Sequence, residues 1–272
     1  MLRSMYSGVS GMRGFQTKLD VIGNNIANVN TAGFKAGRVM FKDIMSQTVS
    51  GVTAPQEGTT GGANAKQIGL GSSIGSIDTL HTAGSAMTTN NPLDLRIDGD
   101  GFFLVKLSTE QEEPYLTRAG DFHLDAARQL VTSDGFFVVD SGGEPITLEE
   151  GVTAFTIDQN GRIVAKMADG TTNEDGPQIG VARVVNPEGL EKIGGSLYRN
   201  TPNATTEELV LTTANNQEAG TGKIISGQLE MSNVDLTGEF TEMIVAQRGF
   251  QANSRIITTS DEILQEIMSL KR

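Results

Sequence analysis

Apolar residues recur with a four-three spacing at both ends of the chain. Near the N-terminus one apolar seam runs through Met5, Met12, Leu19 and Ile26. Near the C-terminus a similar seam runs through Met243, Phe250, Ile257 and Leu264. This spacing is typical of helices that pack along one stripe, as in coiled coils. The pattern predicts a helix at each end of the chain.

A second seam accompanies each apolar one and turns polar partway along. At the C-terminal end it runs through Phe240, Gln247, Ser254, Asp261 and Met268. The stretch SNVD at 232–235 resembles a capping box, which predicts a helix start there. From that start the helix would run about 35 residues, or about 50 Å, to the end of the chain. A periodic helix of this length favours a coiled coil or an assembly over a globular core.

Short strand-like runs separated by turn signals fill the middle of the chain. The clearest are GFFLVKL (101–107), GFFVVD (135–140), FTID (155–158) and RIVAKM (162–167), with a hairpin signal at DQNG (158–161). DGFFLV and DGFFVV form a weak repeat, interpreted as a turn glycine followed by a buried strand. The predicted organisation is a helical segment at 1–30, a Gly/Ser/Thr-rich linker at 31–75, a β-rich domain at 76–224, a linker at 225–234 and a helical segment at 235–272.

Composition excludes several classes of function. The net charge of −12 argues against nucleic acid or an anionic membrane surface as a partner. The chain has no cysteine, which excludes disulfides and thiolate metal sites. Membrane insertion is not expected, because no apolar run is long enough to cross a bilayer. The first residues lack the apolar region of a cleaved secretory signal, so export would need another route.

Candidate chemistry is sparse. The two histidines, His81 and His123, are interpreted as exposed or locally bonded rather than as a catalytic pair. IDGDGFF and DQNG lack the full pattern of a calcium loop, and GLGSSIG (69–75) lacks the lysine of a phosphate loop. We therefore expect no enzyme activity, no cofactor and no metal. A soluble binding module whose terminal helices merely pair with each other remains an alternative.

Long motifs at both ends carry a resemblance to a known family. LDVIGNNIANVNTAGFK (19–35) and the stretch 232–267, which begins SNVDLTGEF, resemble the terminal motifs of the bacterial flagellar axial proteins of the rod and hook. LDLRIDGDGFFLV (93–105) and the stretch 115–139 resemble the β domain of the same family. The resemblance covers most of the chain, apart from about 141–190 and 200–222.

The resemblance implies an α+β fold in which the terminal helices pair in the inner coiled-coil layer of a tube and the β-rich domain lies outside, joined by extended linkers. It implies a structural polymer that exists in the flagellum and leaves the cell through the flagellar type III export apparatus. The implied partners are copies of the chain and the neighbouring rod and hook-associated proteins. Before assembly, the seams lack partners, so we expect the ends to be disordered until they polymerise.

Within the family, the opening MLRSMYSGVSGM resembles the hook type. Because the chain has little room for a large outer domain, it resembles the short hook proteins of Bacillus-like bacteria, with the distal rod protein as the alternative. A hook subunit would form a flexible tube that transmits torque from the basal body to the filament. The predicted subunit interface comprises Met5, Val9, Met12, Leu19, Asn24, Asn25, Ile26, Asn28, Phe240, Met243, Gln247, Phe250, Ile257, Leu264 and Met268.

Overall fold

A computed structural model describes residues 2–55, 61–109, 111, 113–149, 152–167, 171–173, 176–205 and 209–270. The chain divides into two compact units. We call the first the helical unit, which comprises Met1–Ala27, Gly37–Thr79 and Asp235–Arg272. The second, the β unit, comprises Asn28–Ala36 and Leu80–Val234. The chain therefore crosses between the units four times, after residues 27, 36, 79 and 234.

The helical unit contains the two predicted helices, α1 (Leu2–Ala27) and α2 (Leu236–Leu270). They run antiparallel, since Gly8 of α1 lies against Ile257 of α2 while Asn25 bonds to Glu239. The length of α2, 35 residues, agrees with the prediction. The capping-box prediction at Ser232 was wrong, because α2 begins after Asp235, whose Oδ1 accepts the Thr237 N–H at 3.0 Å.

Small residues, rather than the predicted apolar seam, form the most buried stripe of α1. The buried positions are Gly8, Gly11, Gly14, Ile22 and Asn25, whereas Met5, Met12, Leu19 and Ile26 are half-buried. A Cβ at Gly11 would lie 2.9 Å from Asn253 Nδ2, and one at Gly249 would lie 2.6 Å from the Phe15 ring. The missing side chains thus let the two helices approach closely.

The predicted linker at 31–75 contains regular structure instead. Four strands lie in or next to it: β1 (Gly37–Asp43), β2 (Ser46–Ser50), β3 (Lys66–Gly69) and β4 (Ser72–Thr79). β1 pairs antiparallel with β4, and β2 pairs antiparallel with β3. Pairing between these strands gives hydrogen-bond partners to the backbone N–H and C=O groups of the stretch. Its glycine, serine and threonine content alone is typical of a loop. Residues 56–60 of the predicted linker lie outside the described residues.

The β unit holds the remaining strands. Before the short 3-10 helix at Pro187–Gly189 lie β5 (Ala86–Thr88), β6 (Leu95–Asp98), β7 (Phe102–Lys106), β8 (Tyr115–Thr117), β9 (Phe122–Leu124), β10 (Leu130–Thr132), β11 (Phe137–Val138), β12 (Val152–Ile157), β13 (Ile163–Met167), β14 (Thr172–Asn173) and β15 (Gly180–Ala182). After it follow β16 (Glu191–Gly194), β17 (Leu197–Arg199), β18 (Leu211–Thr213), β19 (Lys223–Ser226) and β20 (Gln228–Glu230). The predicted linker at 225–234 was therefore wrong for its first half, which continues the β unit.

One antiparallel sheet organises the β unit, with the strand order β16-β17-β8-β7-β11-β10-β9 and with β15 joining β7 to β18. Strand β7 is buried on both faces: Phe103 and Val105 enter one apolar cluster, and Phe102 and Leu104 the other. The repeat prediction is confirmed, since Gly101 and Gly135 have φ of +138° and +85° and each precedes a strand, β7 or β11. The DQNG hairpin is also confirmed, between β12 and β13.

Candidate assembly surface

A set of exposed apolar side chains runs along the whole length of α2. Its members are large, apolar and exposed to solvent: Leu236, Phe240, Ile244, Val245, Phe250, Ile256, Ile263, Ile267, Met268 and Leu270. We call this set the α2 face. A high density of exposed apolar side chains on one helix favours an interaction site. The amphipathic pattern of the sequence had assigned only Phe240, Phe250 and Met268 of this face.

The end of α2 extends past the end of α1. Gly11 lies opposite Asn253 and Phe15 lies opposite Gly249, a register that brings Leu2 level with Glu262. The last two turns of α2 therefore have no described α1 residue beside them. They carry Ile267, Met268 and Leu270, of which Met268 is 74% exposed. Within the helical unit, this end of α2 is the region best placed to pack against another molecule.

The predicted interface residues of α2 fall into two groups. Met243, Ile257 and Leu264 are half-buried on the side toward α1, while Phe240, Gln247, Phe250 and Met268 are exposed. The predicted residues of α1 are mostly half-buried, namely Met5, Val9, Met12, Leu19 and Ile26. The two sets are thus not one continuous seam, and all the exposed members except Asn24 belong to α2.

An open groove in the helical unit lies between α1 and the paired strands β1 and β4. Tyr6, Val9 and Arg13 line it from α1, and Ile44 and Ile74 line it from the strands, around a volume of about 490 Å³. Tyr6 is largely exposed at its edge. The groove offers an apolar wall with a cationic rim, which suits an amphipathic segment that carries acidic residues.

The three asparagines of the predicted interface, Asn24, Asn25 and Asn28, have different surroundings. Asn25 is 1% exposed, and its side chain brackets Gly37: Nδ2 donates to the Gly37 carbonyl at 2.8 Å, and Oδ1 accepts the Gly37 N–H at 2.9 Å. Nδ2 also donates to Glu239 Oε1 at 3.0 Å. Asn25 was predicted to contact neighbouring chains, and this prediction was wrong because its amide is buried and bonded within its own chain.

The other two predicted asparagines remain near the surface. Asn24 is exposed on α1, and Asn28 is half-buried in the turn that follows the helix. Asn28 Oδ1 accepts the Thr31 hydroxyl at 3.2 Å, and its carbonyl accepts the Thr31 N–H at 3.2 Å. Asn28 therefore shapes a local turn after the helix.

Sequence reasoning missed the exposed apolar residues of the hairpins. Met45, Val49, Val52 and Ile68 are each at least half exposed on or beside strands β2 and β3. A two-stranded hairpin of this kind is marginally stable by itself in water. The signal in the sequence was the β-forming stretch QTVSGVT at 47–53, which the glycine and serine content obscured.

Neither histidine belongs to a catalytic arrangement. His81 packs against Phe102 and Tyr198, with ring centroids 5.7 and 5.4 Å away, and burial together with the nearby cations lowers the pKa of His81 to about 4. His123 is exposed on β9. Across the described ranges no group of three or more acidic or histidine side chains is arranged to hold a metal ion. Neither described helix is sufficiently long and apolar to span a bilayer.

Family comparison matches three parts of the chain. Residues 5–35 match "Flagella basal body rod protein", residues 96–165 match "Flagellar hook protein FlgE/F/G D1 domain", and residues 225–270 match "Flagellar basal body rod FlgEFG protein C-terminal". The first and last contain α1 and α2, and the middle one lies within the β unit. The matches thus include both helices of the candidate assembly surface.

Individual relatives extend the match to the full chain. The chain is 56% identical over 274 residues to the flagellar basal-body rod protein FlgG of Bacillus subtilis, covering 100% of both chains. It is 35% identical to FlgG of Borreliella burgdorferi, again covering 100% of both. It is 29% identical to the flagellar hook protein FlgE of the same organism over an alignment of 450 residues. These relatives are structural flagellar proteins, and the chain belongs to the FlgE/F/G family of flagellar rod and hook proteins.

Proposed function

We propose that this chain is a subunit of the distal rod of the flagellar basal body, the alternative that the sequence analysis placed after the hook. The observation that carries the proposal is the extent of the alignments. Three rod relatives align over 272 to 274 residues at 34 to 56% identity. The hook relatives need alignments of 450 and 472 residues, because they include residues that this chain lacks.

We infer that assembly joins two different surfaces of the helical unit. The α2 face and the groove beside Tyr6 and Arg13 are different parts of the helical unit, so a contact between them joins two copies head to tail. Such heterologous contacts generate an open helical polymer when the rotation does not close a ring. A tube built in this way transmits torque without any catalytic group.

In this mechanism the helical unit folds as the polymer assembles. Much of the apolar surface of α2 is exposed in the single chain, so this helix gains further packing partners from neighbouring copies. We propose that the helical unit is largely unfolded during transit through the type III export apparatus and folds as copies and neighbouring rod or hook proteins cover it.

A deletion strain distinguishes rod from hook. Structures that assemble later require the earlier ones as a base, so loss of a distal rod subunit should leave short basal bodies that carry no hook. Loss of a hook subunit should instead leave rods of full length. Electron microscopy of basal bodies isolated from the deletion strain and from the same strain carrying the gene on a plasmid gives the answer. Full-length rods in the deletion strain would overturn the proposal.

A further inference from the structure

Three of the four crossings between the units meet at one asparagine of the β unit. Asn233 Oδ1 accepts the N–H of Ala36, the last β-unit residue before the second crossing, at 2.8 Å. Its Nδ2 donates at 2.8 Å to the carbonyl of Leu80, the first β-unit residue after the third. Leu80 in turn donates its N–H to the Ala36 carbonyl at 2.8 Å. Asn233 itself lies two residues before Asp235, where the chain enters the helical unit for the last time.

A buried charge network lies next to this asparagine. Lys35 Nζ donates to Glu230 Oε1 at 2.6 Å and to the Thr82 carbonyl at 2.8 Å, and Arg118 pairs with Glu230 Oε2 at 3.3 Å. Lys35 is 0% exposed and Glu230 2%. Burial would raise the pKa of Glu230, but the charges of Arg118 and Lys35 outweigh it and hold the pKa below its ordinary value. The two cations thus favour the charged form of the carboxyl group that bonds the lysine.

The segment 28–36 is seated against the β unit by further contacts. Gly33 donates its N–H to the Glu230 carbonyl at 2.8 Å. Gly33 has φ of +69°, and a Cβ there would lie 2.5 Å from the Ala119 nitrogen, so only glycine permits this approach. Lys192 Nζ donates to the Lys35 carbonyl at 2.9 Å and lies 4.5 Å from the centroid of the Phe34 ring.

We propose that four residues form a junction clasp, which holds the chain in the β unit at the points where it crosses to the helical unit: Lys35, Arg118, Glu230 and Asn233. This inference rests on the proposed assembly function. The clasp keeps residues 33–36 folded with the β unit in the unassembled chain, while the terminal helices are unfolded. The boundary between the part of the chain that is already folded and the part that orders on assembly therefore lies at the crossings. It does not lie inside the linkers predicted at 31–75 and 225–234. Breaking one member leaves the other buried charges unpaired, which destabilises the junction as a whole.

Amide hydrogen exchange on the unassembled full-length chain tests the clasp. We expect the amides of Gly33, Ala36 and Leu80 to exchange as slowly as those of strand β7, and the amides of α1 and α2 to exchange rapidly. The inference is overturned if the three junction amides exchange as rapidly as the helices, or if the helices are as protected as β7. Neither outcome depends on whether the polymer is a rod or a hook, so failure of the clasp is distinguishable from failure of the proposed function.

The variant Glu230→Gln tests the role of the charges. We expect the amides of Gly33 and Leu80 to exchange at least tenfold faster while the β7 amides stay unchanged. These two amides bond to backbone carbonyls, so their acceleration reports a loosened segment and not the loss of one side-chain acceptor. Arg199→Met, which breaks the exposed Arg199–Glu191 pair of the same unit, serves as the matched control and should change none of them. Unchanged exchange in Glu230→Gln overturns the role of the network.

A milder variant covers the case in which Glu230→Gln unfolds the whole β unit. Asn233→Ala removes no charge and leaves the Lys35–Glu230 pair in place. We expect it to accelerate exchange at Gly33 and Leu80 with β7 still protected. Slow exchange at both amides in this variant would contradict the clasp.

Discussion

Asn25 occupies a position where one side chain joins three parts of the helical unit. Its amide bonds both backbone groups of Gly37 and one oxygen of Glu239, so α1, β1 and α2 meet at a single residue. Burial raises the pKa of Glu239, and the Asn25 bond opposes that shift. A short amide suits this place, since it supplies a donor and an acceptor in the same plane.

We predict that Asn25→Ala weakens assembly strongly. The substitution leaves the N–H and carbonyl of Gly37 without their partner, at about 1–3 kcal/mol for each unsatisfied buried group. The critical concentration for polymerisation should rise by about 100-fold, measured by sedimentation of the purified chain. Gln16→Ala, at an exposed position of the same helix, is the matched control and should change it by less than about threefold. Equal effects of the two variants would refute the assigned role of Asn25.

The acid sensitivity of the β unit should depend on His81. Its pKa of about 4 lies below the ordinary 6.5 because it is buried and because Lys35, Arg118 and Lys192 repel a proton. Between these values the unfolded chain binds a proton that the folded chain does not, so stability falls as the pH falls from 6.5 toward 4. Below the ordinary value of 4.5, protonation of Glu230, whose pKa is lowered, removes further stability.

Urea denaturation of the β unit at pH 7 and pH 5 measures this dependence. The urea midpoint of the unaltered chain should be lower at pH 5, and His81→Gln should remove a large part of that difference. His123→Gln alters an exposed histidine of the same unit and should retain the difference in full. The same pH difference in all three proteins would show that His81 does not cause it.

At the level of single elements, two glycines of the helix pair have opposite surroundings, one open and one closely packed. An added Cβ at Gly23 meets no atom within 4 Å, whereas one at Gly249 would enter the Phe15 ring. Gly23→Ala should therefore gain about 0.5–1 kcal/mol of helix propensity. Gly249→Ala should lose about 1–3 kcal/mol through overpacking.

The thermal midpoint of polymer disassembly compares these two substitutions directly. We expect it to rise for Gly23→Ala and to fall for Gly249→Ala, although both changes replace glycine by alanine in a helix. A fall for Gly23→Ala would mean that a neighbouring copy packs against that position. A rise for Gly249→Ala would contradict the close approach of α1 and α2.

The elements show which features the sequence could predict. The helices were predictable because a long amphipathic period repeats many times, and β7 was predictable because a turn glycine precedes a wholly apolar run. The strands β1 to β4 were not, since their glycine, serine and threonine content matches that of loops and their pairing joins residues far apart in the chain. The packing between α1 and α2 was predicted only in part, because most of the buried stripe of α1 consists of glycines, which carry no hydrophobic signal.

The junction clasp was also beyond sequence reasoning. Lys35, Arg118 and Glu230 are spread over almost 200 residues, and nothing in the sequence separates them from the other charged residues of the chain. Only the fold brings them together and removes them from water. Three asparagines of the N-terminal motif were predicted as interface residues together, but the sequence could not separate the buried Asn25 from the exposed Asn24.

At the scale of the whole molecule, the α2 face should control polymerisation without affecting the β unit. Replacing both Ile263 and Ile267 by aspartate places two charges on a surface that must be buried in the polymer. We expect no sedimentable polymer at concentrations where the unaltered chain assembles completely, with an unchanged urea midpoint of the β unit. Val185→Asp introduces the same charge at an exposed apolar residue of the β unit and should permit assembly. Normal assembly of the double variant would exclude the α2 face.

The position of the chain in the flagellum separates a rod subunit from a hook subunit. A short epitope inserted after residue 58, with motility confirmed, permits immunogold labelling of isolated basal bodies. The account predicts gold particles along the straight segment between the inner part of the basal body and the start of the hook. Labelling along the curved hook, with none on the straight segment, would contradict it.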